Sequence, residues 1–339
     1  MSGAASIEGI TVGRGAGAGS TNTAVGASAL AANTTGIVNV AVGQQALFSN
    51  TTGGYNVAVG RNTLYTNTTA GNNIAIGFDT LYYNNGGQNV AVGGTALGAN
   101  TSGANNTALG YNALLSNTTA SNNTAVGYQA LYTNTTGAPN TAVGYQTAYR
   151  TTTGTDLVAI GQWALFENTT GSYNVAVGRG SLQSNTTASN NTAVGYQAGY
   201  SNQTSASNTF VGYQVGYGAT GGLNVAVGSN VPGFYNSSLY STTGSSNTAL
   251  GAGAGAGITS GSTNIAIGHN AMAAGSVTGS TNIAIGWGAG IALTSGSSNT
   301  FVGSGRAGFA NGAGSAMTTG SANTILGTFS GNQGGLDIR

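Results

Sequence analysis

The chain repeats itself every 17 residues, and this period restricts its folding more than any other property. Asn123 to Pro139 reads Asn-Thr-Ala-Val-Gly-Tyr-Gln-Ala-Leu-Tyr-Thr-Asn-Thr-Thr-Gly-Ala-Pro; Asn140 starts the next copy and Asn106 the previous one. The glycine closing each Asn-x-Ala-Val-Gly recurs at 26, 43, 60, 77, 93, 110, 127, 144, 161, 178, 195, 212 and 228, with steps of 17 and two of 16. It continues at 251, 268, 286, 303 and 327, with two longer steps of 23 and 24. So short a fixed period implies stacked coils in which each copy buries its apolar side only against its neighbours.

Within one copy, Asn-x-Ala-Val-Gly fits a short strand. Val, Ile, Leu or Thr flank the alanine, as at Val57 and Val59 or Ile74 and Ile76, and share one face. Alanine and glycine share the other, which offers little side-chain volume and invites another backbone or sheet. The Ala-Leu pair that follows, as at Ala113-Leu114, fits a second strand, and Asn-Thr-Thr-Gly is turn chemistry. Two strands and two turns make one coil of a parallel β-solenoid or β-roll, and the chain holds about 19 of them. The asparagine before each strand, among them Asn56, Asn73, Asn89, Asn106, Asn123, Asn140, Asn174 and Asn191, is placed to form a structural amide ladder. Only Leu157 breaks that column. The many Asn-x-Thr triplets then read as turn and ladder positions, not as glycosylation acceptors.

Four segments are expected: an irregular N-terminal coil or cap (1–20), regular repeats (21–228), irregular repeats with two surface insertions (229–327), and a tail (328–339). Insertions in a repeat array emerge as surface loops, which makes Phe234, Tyr235 and Tyr240 first candidates for receptor contact.

Charge excludes several functions. Only 3% of residues are charged, with six Arg, no Lys and no basic cluster, so the electrostatic footprint of a nucleic-acid binder is missing. No run of 18 apolar residues suggests membrane insertion. Without cysteine there is neither a disulfide nor a thiolate metal site. The acids Glu8, Asp79, Asp156, Glu167 and Asp337 form no carboxylate pair tuned for hydrolysis, and the single His269 has no partner for a triad or a metal. No catalytic residue, metal or cofactor is expected. Adjacent threonines such as Thr118-Thr119 point to opposite sides of a strand, so only one of each pair could join an ice-like lattice.

Aromatic residues fall in two columns. One follows the marker glycine: Phe78, Tyr111, Tyr128, Tyr145, Tyr196, Tyr213, His269 and Trp287. The other lies five residues after it and includes Phe48, Tyr65, Tyr82, Tyr132, Tyr149, Phe166, Tyr200 and Tyr217. They suit ring-on-ring packing along the stack. Tyr128, Tyr145, Tyr196 and Tyr213, beside Gln129, Gln146, Gln197 and Gln214, also suit a rim that receives sugars.

From about Thr11 to Gly327, the units Asn-Thr-Ala-Val-Gly-Tyr-x-Ala-Leu…Asn-Thr-Thr-Gly resemble the β-roll repeats of phage tail fibres. More distantly they resemble the head repeats of trimeric autotransporter adhesins of the YadA type, whose period is shorter. The resemblance implies an intertwined or side-by-side homotrimer, with other virion or fibre proteins at its ends and a host glycan or protein as receptor. Residues 331–339 resemble the lead-in to an intramolecular chaperone domain, which implies an auto-processed or truncated chain. Met1 to Gly9 shows no export signal, so a virion fibre is expected, with a bacterial cell-surface or extracellular adhesin as the alternative.

Overall fold

The structure, a computed structural model, describes residues 5–7, 10–17, 21–229, 238–273, 275–305, 312–328 and 330. It is all β, with no helix among the described residues. The chain forms two compact units, Met1–Ser172 and Tyr173–Arg339. In the first, β1 (Ala5–Ile7) pairs antiparallel with β2 (Ile10–Gly13), and β2 pairs antiparallel with β3 (Thr23–Val25). From β3 to β11 (Leu157–Ile160) nine strands run parallel, Val40 pairing with Val57 and Val57 with Ile74. In the second unit nine more run from β12 (Val175–Val177) to β20 (Thr324–Leu326), again pairing equivalent positions. The result is a parallel β-solenoid with a 17-residue repeat and about 16 turns. Fewer turns form than the 19 expected, because the segment Ile10–Gly13 pairs antiparallel in an N-terminal hairpin and adds no coil.

The strand's alanine side, expected to receive another backbone or sheet, faces the interior of its own coil. Its alanine is inside: Ala58, Ala75, Ala91, Ala108 and Ala125 are fully buried. The Val and Ile on either side point outward, and Ile74 and Ile76 are each 40% exposed. The coil is too narrow for aliphatic chains from both walls, so alanine lines one wall and leucine fills from the other. Leu47, Leu64, Leu81, Leu97, Leu114 and Leu131 are all fully buried.

Those leucines do not lie in a second strand. Both members of the pair Ala130-Leu131 are buried, and a strand, whose side chains alternate, would expose one of them. The chain instead takes successive turns: Ala130 N–H donates to Gly127 C=O (3.3 Å), Asn134 N–H to Leu131 C=O (3.2 Å), and Gln129 and Leu131 have φ of 53° and 51°. A left-handed leucine costs about 1–2 kcal/mol. Burying the whole side chain contributes about 1.5–3 kcal/mol, so burial prevails. The turns also bond from coil to coil, since Leu131 N–H donates to Thr147 C=O at 3.0 Å.

Asparagine forms two buried columns, where the sequence pointed to one. In the first, Asn123 Oδ1 accepts the Asn140 N–H (2.8 Å) and Asn123 Nδ2 donates to Gly137 C=O (3.1 Å), so amide meets backbone and not amide. Direct amide pairs enter this column later, as from Asn282 Nδ2 to Asn264 Oδ1 at 3.0 Å. The second column is the turn asparagine, fully buried at Asn50, Asn67, Asn100 and Asn117. It is a true amide ladder: Asn67 Nδ2 donates to Asn50 Oδ1 at 3.0 Å, and Asn117 Nδ2 to Asn100 Oδ1 at 2.7 Å. At the shortened step, Asn73 Nδ2 stays buried without a partner. There the turn from Asn84 to Asn89 is one residue shorter than the turn from Asn67 to Asn73.

Asn123→Ala should orphan the buried Asn140 N–H and destabilise the first unit by about 1–3 kcal/mol. Thr136→Ala, on the exposed side of its turn, should cost less than about 0.5 kcal/mol. Chemical denaturation midpoints of the two variants check this; equal midpoints would contradict it.

Candidate functional site: aromatic and amide columns

Each aromatic position recurs once per coil, so the pitch of the stack sets the spacing of the rings. In the column after the marker glycine, Tyr111 and Tyr128 lie 5.9 Å apart, and Tyr128 and Tyr145 5.2 Å apart, within 12° of parallel. Tyr196 and Tyr213 repeat this at 5.2 Å. Phe78 leans across Gly94 to reach Tyr111 (6.4 Å), bridging the coil that lacks a ring. In the second column Phe48, Tyr65 and Tyr82 stack at 5.1 and 5.0 Å, and Tyr132, Tyr149 and Phe166 at 5.0 and 5.3 Å.

Among the receptor candidates, Tyr240 belongs to this second column, stacked 5.5 Å from Tyr217. Phe234 and Tyr235 lie outside the described residues. His269 lies parallel to Trp287 at 6.2 Å, as one more ring in the column. Trp163 is a column member that the spacing missed, because its sequence offset is one residue later. Its ring still meets Tyr145 edge-on at 6.4 Å, and its Nε1–H donates to Gln146 Oε1 at 3.2 Å.

Next to the rings runs a glutamine row. Gln146 Nε2 donates to Gln129 Oε1 (2.8 Å), and Gln214 Nε2 to Gln197 Oε1 (2.9 Å). Tyr128 has a ring over each face, and its exposed remainder is edge and hydroxyl. The site therefore offers a phenol hydroxyl beside an amide in the coils of Tyr128, Tyr145, Tyr196 and Tyr213. It does not offer open ring faces along the run.

Two ion pairs lie at the surface among the described residues. Arg61 meets Asp79 at 3.6 Å, where Asp79 also accepts from Asn62 Nδ2 (2.9 Å), and Arg150 meets Glu167 at 3.0 Å. Arg150 also lies 6.0 Å from the Phe166 ring centroid. No group of three or more His, Cys, Asp or Glu able to hold a metal ion occurs among the described residues. Nor is any helix there long and apolar enough to cross a membrane.

Stacking perturbs two phenols. Tyr82 has its pKa raised by desolvation, then by Tyr65, Tyr83 and Asp79; Tyr217 is raised by desolvation, then by Tyr200, Tyr240 and Tyr196. Above about pH 10 the unfolded chain sheds these protons before the folded one does. The stability they lend is complete below that pH and is lost as pH rises through the folded value. Denaturation midpoints should therefore fall above about pH 10, and less steeply in Tyr82→Phe. Equal slopes for variant and parent would contradict the assignment.

No family of known proteins matches this chain, and neither a curated protein nor a solved structure is significantly similar to it.

Proposed function

We propose that this chain is a structural fibre protein of a virion, a phage tail fibre, that attaches to receptors on a host surface, glycans foremost. The observation that carries this reading is the surface chemistry of the coils. Buried amides and coil-to-coil bonds hold the backbone, while uncharged tyrosine edges and glutamine amides repeat outward. Such rows hydrogen-bond sugar hydroxyls without depending on charge, and Tyr presents its hydroxyl at small entropic cost. Tyr128, Tyr145, Tyr196, Tyr213 and Tyr240, with Phe234 and Tyr235 from the insertion, are the proposed receptor contacts. Because neighbours cover the ring faces, recognition in the stacked runs is through hydroxyls and edges. The fibre is a homotrimer with other virion proteins at its ends, where exposed strand edges need cover.

Two measurements test the reading. Purified particles should contain the chain in fixed ratio to their structural proteins; an export-dependent location on the bacterial cell surface would favour the adhesin reading instead. Tyr128→Ala combined with Tyr145→Ala should weaken binding to host-envelope polysaccharide about tenfold, the equivalent of about 1.4 kcal/mol. Unchanged binding would remove these tyrosines from the receptor contact.

A further inference from the structure

The outward face of the strands is the largest departure from what a solvated sheet requires. A sheet with one face in water normally carries apolar residues inside and polar ones outside. Here the small alanine is inside, and the residue after it, outward, is Val, Ile or Leu in all nine coils from Val25 to Ile160. The residue before it is Thr, Val or Ile, and neither row holds a charged or amide side chain. Four of these outward sites already hold threonine, Thr23, Thr107, Thr124 and Thr141, so the coil itself accepts polar residues on this face.

We infer that this face is the surface through which copies of the chain pack on one another. Three observations select a second copy as the occupant. First, the area suffices: at on the order of 50 Å² exposed per side chain, two outward residues on each of nine strands offer roughly 900 Å² in the first unit alone. A stable interface uses about 800 Å² per partner. Second, the rows repeat with the pitch of the coil, which the 5.0–5.3 Å ring spacings report. A partner of another repeat would lose register within a few coils, whereas the same solenoid keeps it along the whole row. Third, the face is uncharged and the chain's net charge is +1, so like faces meet without repulsion. The interface lies on the Val, Ile and Leu side and not on the alanine side, which is closed inside the coil. The inference takes from the proposed function only that the chain self-associates.

Molecular mass in solution, by sedimentation at micromolar concentration, tests it. The parent chain should run as a multiple of 32.9 kDa. Val92→Lys with Val126→Lys should run as the monomer and keep its β-sheet circular dichroism. Ser102→Lys with Thr136→Lys, carrying the same charges on the exposed turn column, should keep the parent's mass. A monomeric parent would overturn both self-association and this face. An assembled Val92→Lys/Val126→Lys variant would overturn the face alone and leave the fibre reading standing. Should the lysine variant fail to fold, Val126→Cys in this cysteine-free chain decides: its thiol should label at least tenfold more slowly than that of Thr136→Cys. Equal labelling rates would overturn the inference.

Discussion

Replacing Gly127 with alanine is expected to lower the first unit's unfolding midpoint by roughly 10 °C, a loss of about 3 kcal/mol or more. Two effects add. Gly127 sits at φ +133°, in a region that only glycine occupies readily and that costs a side-chain-bearing residue about 1–3 kcal/mol. An added Cβ would also lie 2.3 Å from the carbonyl oxygen of Gly144 in the next coil, so two backbones would have to part. Gly327, the corresponding residue of the last described strand, has φ +95° and nothing within 4 Å of such an atom. Gly327→Ala should therefore show the conformational cost without the steric one, and a smaller drop. Equal drops, or none at Gly127, would mean that coils do not approach at the marker glycine.

Phe210→Ala should cost the second unit about 3–5 kcal/mol, toward the upper end for a core aromatic. Phe210 stands where other strands have alanine, and the turn positions packed against it have lost their leucine. A Cβ at Gly199 would lie 2.8 Å from the Phe210 ring, and one at Gly216 2.5 Å from it. Volume has moved from the turn to the strand at constant packing, and removal of the ring leaves a space that two glycines cannot fill. The same exchange occurs at Phe301 between Gly290 and Gly314. Gly199→Leu and Gly216→Leu should each be harmful alone and should partly rescue Phe210→Ala, because Leu182 takes φ 48° at the equivalent position and Gly199 already has φ 60°. Thermal midpoints of the triple variant decide; failure to improve on Phe210→Ala would contradict the exchange.

The period, the parallel register and the asparagine column before each strand could be read from the sequence, because each coil needs a glycine where the next backbone approaches. What could not be read was which side of the strand faces in. Val59 beside Ala58 suggests valine inside by the ordinary rule for a half-buried strand, and that rule assumes a core wide enough for valine. Here Leu64 enters from the turn, and only alanine fits opposite it. The Ala-Leu turn is hidden from the sequence for a related reason: two adjacent buried residues exclude a strand, but nothing in Ala130-Leu131 announces a left-handed leucine. Asn117 was legible as a turn residue and not as a buried ladder member, since one amide serves either purpose. In the candidate site, sequence offset alone located Tyr128 and Tyr145 in one column. Trp163, reaching that column from the next position, needed the structure.

The central claim is that one 17-residue copy makes one coil and that copies stack in register. Pairs of spin labels on the exposed turn column test it most directly, with Thr52→Cys paired in turn with Thr119→Cys, Thr136→Cys and Thr153→Cys, which lie four, five and six coils away. Dipolar spectroscopy should then give distances that grow in equal steps of about 4.8 Å, near 19, 24 and 29 Å. Distances that fail to increase with coil number, or that rise by a different step, would contradict the stacked-coil account.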